Sequence, residues 1–95
     1  MSFTLIFAKE ARETYAAIQS QILDRWGETV LAKFEEKTLK TLDQIAKLPF
    51  IFKEIIENPN VRKGLINKNC SVFYEVKEDE IEVLFFWDNR QEPIL

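Results

Sequence analysis

Three cations sit at the ends of the C-terminal strands that the sequence spells out: Arg62 and Lys63 at the start of the first, and Arg90 just after the last. Positive charge held in such places can stabilise an anion that develops during a reaction. Proton transfer needs an acid and a base as well, and here the chain is poor. It has no histidine and one cysteine, Cys70. That removes the commonest general base and the commonest metal ligand, and with them zinc sites, Cys/His nucleophiles and Ser/His/Asp triads. Proton transfer would fall to Glu, Asp, Lys, Tyr or Arg, and no acid–base pair stands out, so no catalytic residue is assigned. No metal and no cofactor are expected. Arg62 and Lys63 are strand neighbours, so without a bulge they face opposite ways and do not share one site. Arg62 also has a plainer reading, as a solvated charge that blocks edge pairing.

The elements that position these residues follow from periodicity. Cys70, Val72, Tyr74 and Val76 alternate with Ser71, Phe73 and Glu75. Ile81, Val83, Phe85 and Trp87 alternate with Glu82, Leu84, Phe86 and Asp88. A period of two marks half-buried strands, and Lys77–Glu80 between them reads as a polar hairpin connection. This pattern puts Tyr74 and Trp87 on the core face, and Cys70 with them as a small, inert residue. Asp88, Asn89 and Arg90 can hydrogen-bond the chain end back onto the sheet.

Upstream, Phe3, Leu5 and Phe7 alternate within a strand over residues 2–7. Ala8, Ala11, Tyr15, Ile18 and Ile22 then form one stripe on a helix over about residues 8–25. Gly27 suits the position that ends a helix. A second helix runs over about Glu28–Lys47 and stops at Pro49. The short link makes the two an antiparallel hairpin, with Trp26 packing its turn or meeting a partner at its tip. Residues 49–60, PFIFKEIIENPN, are too apolar for a plain loop. They read either as a short helical turn over the core edge or as an apolar patch that a partner covers, with Asn58-Pro59-Asn60 a turn. The fold class is α+β: an N-terminal strand, an antiparallel helix hairpin and a three-stranded antiparallel C-terminal sheet, forming one domain over residues 1–95.

Composition narrows the function classes. With 46% hydrophobic and 31% charged residues the chain is globular rather than disordered. No apolar run approaches the roughly 20 residues of a membrane span. The first residues show no basic segment leading into an apolar one, and a single cysteine fits a reducing compartment. The expectation is a cytoplasmic protein. A net charge of −3 argues against a chain that grips nucleic acid through phosphate neutralisation, and no direct sequence-specific DNA binding is expected.

A basic-start strand, a Tyr- and Phe-rich hairpin and the closing Phe-Trp-Asp-Asn-Arg-Gln-Glu-Pro, in this element order and length, resemble the RelE/ParE family of type II toxin–antitoxin toxins. The resemblance covers essentially the whole chain. It implies a RelE-like fold and a cognate antitoxin whose C-terminal segment wraps the toxin. It implies one of two targets. RelE-like members cleave mRNA in the ribosomal A site with basic residues on the sheet; ParE-like members lack that set and inhibit DNA gyrase.

Carried over by position, Arg62 and Lys63 match basic positions of the RelE-like strand, and Arg90 a frequently basic position after the last strand. Ser71 stands where RelE-like members often carry arginine, and no Tyr or His follows Arg90. The closing DNRQEP is nearer to ParE-like members. The expectation is a gyrase-directed toxin without chemistry, contacting its target through Arg62, Lys63 and Arg90. A ribosome-dependent mRNA endonuclease and a non-toxic, antitoxin-binding relic are the alternatives. Phe50, Phe52, Ile55, Tyr74 and Trp87 are candidates for the antitoxin contact.

Overall fold

Strand β1 (Thr4–Phe7) leads through Ala8 into helix α1 (Lys9–Trp26), and a single residue, Gly27, separates it from helix α2 (Glu28–Lys47). A two-residue strand β2 (Glu54–Ile55) follows, then β3 (Asn58–Asn67), β4 (Cys70–Val76) and β5 (Glu80–Asp88). The structure, a computed structural model, describes residues 2–91. Gly27 ends one helix and starts the next. Its N–H donates to Leu23 O and its carbonyl accepts from Leu31 N–H, and its φ of +89° is a conformation that side-chain-bearing residues avoid.

All five strands form one sheet in the order β1-β5-β4-β3-β2. The expected three-stranded antiparallel set, β3-β4-β5, is its centre. β1 joins parallel to β5, from Thr4 opposite Glu80 to Phe7 opposite Val83. The helical turn expected over residues 49–60 does not form. The segment instead makes a turn and the short edge strand β2, with Glu54 opposite Arg62 and Ile55 opposite Asn58. Asn58-Pro59-Asn60 is thereby drawn into β3. A proline is tolerated at such an edge because its missing N–H is not needed there.

The alternation in β5 breaks at one residue. Tyr74 pairs with Val83 but Phe73 pairs with Phe85, so Leu84 is extra. A bulge of this kind reverses which face every later residue takes. Ile81 and Val83 point into the core, and beyond the bulge it is Phe86 and Asp88 that do so, at 3% and 8% exposure. Trp87, expected on the core face, lies opposite Ser71 on the other face, and Phe85 opposite Phe73 goes with it.

The helices cover one face only. Ala11, Phe34, Leu42 and Ile45 meet Val72, Tyr74, Ile81, Val83 and Phe86 in a single core. Tyr15 ties the layers together, with its ring 5.5 Å from Phe34 and 4.8 Å from Phe86. Gly64 makes room for Phe52 to lie over the sheet. A Cβ there would sit 3.0 Å from Phe52 Cδ2 and 3.2 Å from Val72 Cγ1.

The two glycines predict a contrast. A Cβ at Gly27 meets nothing within 4 Å, so Gly27→Ala should lose about 1–3 kcal/mol through backbone strain alone. Gly64→Ala should lose a similar amount, about 1–3 kcal/mol, by overpacking. Urea midpoints measure both. Hydrogen exchange should separate them, because only Gly64→Ala displaces Phe52 and loosens residues 50–55.

Candidate functional site

The segment between α2 and β3 is a strap held from beneath. Tyr74 Oη donates to Pro49 O at 2.8 Å, and Arg62 Nη1 donates to Phe52 O at 2.7 Å. The Arg62 guanidinium also lies 4.7 Å from the Phe50 ring centre and 3.7 Å from Glu54 Oε1. With its side chain 17% exposed, Arg62 is chiefly a clamp on the strap. Tyr74 is fully buried, and burial raises its pKa against the lowering effect of the Arg62 charge. As folded it offers no surface to a partner, which corrects its candidacy for the antitoxin contact. Phe52 and Ile55 are half-buried. What the strap presents outward is Phe50, with Leu48, Ile51 and Ile56 beside it, the last almost wholly exposed. The PFIFKEII run signals this patch in the sequence, but not which of its members turn out.

The sheet face free of helices is largely enclosed: Phe73 and Ser71 are buried on it, Phe85 and Trp87 are half-buried, and Leu65 is exposed. Phe73 and Phe85 stack at 4.5 Å, and Lys63 Nζ lies 5.7 Å from the Phe73 ring centre. The next row across the strands is Leu65, Ser71 and Trp87. Trp87 is half-buried, and its Nε1 is enclosed with no hydrogen-bond partner among the described residues. Phe85 and Leu65 belong to this surface, and only the bulge reveals it.

The segment after β5 is tied back to the sheet at Asn89, as expected for Asp88, Asn89 and Arg90. Asn89 N donates to Asn69 O, and Ser71 Oγ donates to Asn89 Oδ1 at 3.0 Å. Asp88 accepts from Arg90 three times: from its backbone N at 2.9 Å, Nε at 3.0 Å and Nη2 at 2.8 Å. This bidentate hydrogen bonding lowers the Asp88 pKa although burial opposes it. Glu92 and Pro93 of the closing DNRQEP lie outside the described residues. Below Asp88, burial and the nearby carboxylate push the Cys70 thiol up to about 12.

The three expected cations therefore do not converge. Arg62 faces the helix side under the strap, Lys63 the open face, and Arg90 the opposite end of the sheet. Among the described residues no group of Asp, Glu and Cys is placed to hold a metal, and no helix is long and apolar enough to cross a membrane.

The family model of the ParE toxin of the type II toxin–antitoxin system, parDE, matches residues 5–93. The chain belongs to the ParE toxin family. No curated protein matches it in sequence. Among solved structures, the fold is similar to a chain of the chromosomal ParDE toxin–antitoxin system of P. aeruginosa. That match has a TM-score of 0.75 and 19% identity, over 92% of this chain and 96% of the other. It is also similar to a conserved hypothetical protein of Helicobacter pylori, with a TM-score of 0.62 and 19% identity over 93% and 96%. A copper-bound mutant toxin from the same organism aligns with a TM-score of 0.58 and 20% identity over 94% and 97%. At these identities the structures bear on fold alone.

Two predictions follow from the clamps. Arg62→Met should release the strap, seen as faster amide exchange over residues 49–55, and should lower stability by about 1–3 kcal/mol. Asp88 is held ionised, so its contribution is complete above an unfolded pKa of about 3.9 and is lost as pH falls through the lower folded value. Asp88→Asn should thus cost about 1–2 kcal/mol at pH 7 after solvent screening of Arg90. In a urea series over pH, that difference should vanish at the acid end.

Proposed function

We propose that this ParE chain is a growth-arresting toxin that binds DNA gyrase and blocks it by contact, without a reaction of its own. The observation that carries this reading is the dispersal of Arg62, Lys63 and Arg90 onto three separate surfaces. Phosphodiester cleavage needs charge stabilisation, a base and an acid at one reacting centre. Here Arg62 is engaged with Phe52 O and Glu54, Arg90 with Asp88, and Lys63 stands alone beside Phe73. An inhibitor that acts by occupancy needs only a complementary surface.

The antitoxin partner follows from the ParDE family, and the strap is the surface best suited to it. A segment that folds on binding gains from burying Phe50, Ile51 and Ile56, and large apolar anchors of this kind dominate such interfaces. Trp87 and Phe85 on the helix-free face offer a second anchor.

Inducing the chain alone in a sensitive bacterium and pulse-labelling DNA and protein synthesis tests the target. DNA synthesis should fail first, and the purified chain should inhibit gyrase supercoiling. If protein synthesis fails first, with A-site mRNA cut, the ribosomal reading replaces this one; if neither fails, only antitoxin binding is retained. For the antitoxin, Phe50→Ala with Ile51→Ala should weaken the complex by roughly tenfold or more, since each truncates an exposed anchor. The melting temperature should barely change. Unchanged affinity would remove the strap from the interface.

A further inference from the structure

At the far end of the hairpin from the strap, α1, α2 and the chain end enclose a socket of about 210 Å³. Its floor is apolar: Ile18, Ile22 and Phe34. Trp26 stands at its lip, 59% exposed despite its size, with Val30 beside it at 43%. Lys33, Lys37 and Arg90 line the socket as well, with the neutral amides Asn67 and Asn69.

The two lysines differ from the other lysines of the helices. Lys9, Lys40 and Lys47 each lie within 4.0 Å of a carboxylate one helical turn away. Among the described residues, Lys33 and Lys37 form no such pair. They stand four apart on α2, where like charges repel by a few tenths of a kcal/mol, about 0.2–0.5. The helix thus carries a small penalty that an external carboxylate would turn into a gain. The socket's one acid, Asp88, is already held by Arg90 and leaves the rim positive. In a protein of net charge −3 this is a local patch of opposite sign.

We infer that this socket is the target-contact site of the toxin, and that it receives an acidic segment of the target protein carrying one bulky apolar side chain. The apolar side chain fills the floor beside Trp26, and flanking carboxylates meet Lys33 and Lys37, with the Asp88-bound Arg90 at the edge. The inference rests on the reading that the chain acts by contact.

The test replaces exposed residues, so folding is preserved. K33E/K37E should raise the concentration needed for half-inhibition of gyrase supercoiling by about tenfold or more. K40E/K47E makes the same charge change on the same helix away from the socket and should shift it by less than about threefold. Affinity for the antitoxin should be unchanged in K33E/K37E. Equal losses in the two variants, no loss in either, or loss of antitoxin binding with inhibition intact would each overturn the assignment. If the wild-type chain fails to inhibit gyrase, the contact-inhibitor reading fails, and a direct probe still decides the socket. A synthetic peptide of glutamates around one phenylalanine should then give a saturable change in tryptophan emission with wild type and W87F. It should give none with K33E/K37E, and a lysine version of the peptide should give none at all. Absence of a saturable change in wild type sinks the socket.

Discussion

One extra residue, Leu84, sets the orientation of everything that follows it. Up to Val83 the last strand keeps the alternation that matches β4; after it the faces exchange. Phe86 enters the core, where Tyr15 packs against it, and Thr14 Oγ1 accepts from its backbone N–H at 2.9 Å, so α1 is fastened to the sheet edge just past the point where β1 ends. Asp88 is turned inward and becomes the residue that organises Arg90. Phe85 and Trp87 are turned out and become surface. Without the bulge the chain end would show a carboxylate and bury a tryptophan, and neither of the two sheet surfaces would have its present chemistry.

Much of this was legible in the sequence, and the failures have physical causes. The helix limits were readable because apolar stripes, Gly27 and Pro49 all agreed with one another. The hairpin β4–β5 was readable because alternation survived on both sides of a polar turn. Trp87 was misplaced because a period-two argument assumes unbroken pairing, and Phe85-Phe86 offers an apolar residue to either face. Of the two readings of the strap, the helical turn fails because the segment is held by Phe52 lying over Gly64 and by the Tyr74 hydrogen bond to Pro49 O, contacts with residues to which it has no local relation. The ends of β2 are set by those distant contacts, not by propensity.

The cations show how far charge alone can mislead. Arg62 and Arg90 looked free in the sequence, yet each is engaged by a partner that tertiary structure brings close: a strap carbonyl for one, a bulge-turned aspartate for the other. The helix lysines without an ion pair among the described residues, Lys33 and Lys37, lay inside a helix of mixed charge where nothing marked them. Their significance depends on α2 meeting the end of the sheet. An acidic protein can thus hold a positive surface without a basic segment, and its field at short range bears little relation to its net charge.

The buried thiol beneath Asp88 has a consequence for control. Burial pushes its pKa up to about 12, which holds Cys70 as the neutral thiol near neutral pH, whereas thiolate is the form that peroxides and disulfides attack. No second cysteine exists to resolve an oxidised one. The molecule is therefore deaf to oxidative stress through this route. Cys70 thus serves as packing beneath the last strand and not as a redox trigger.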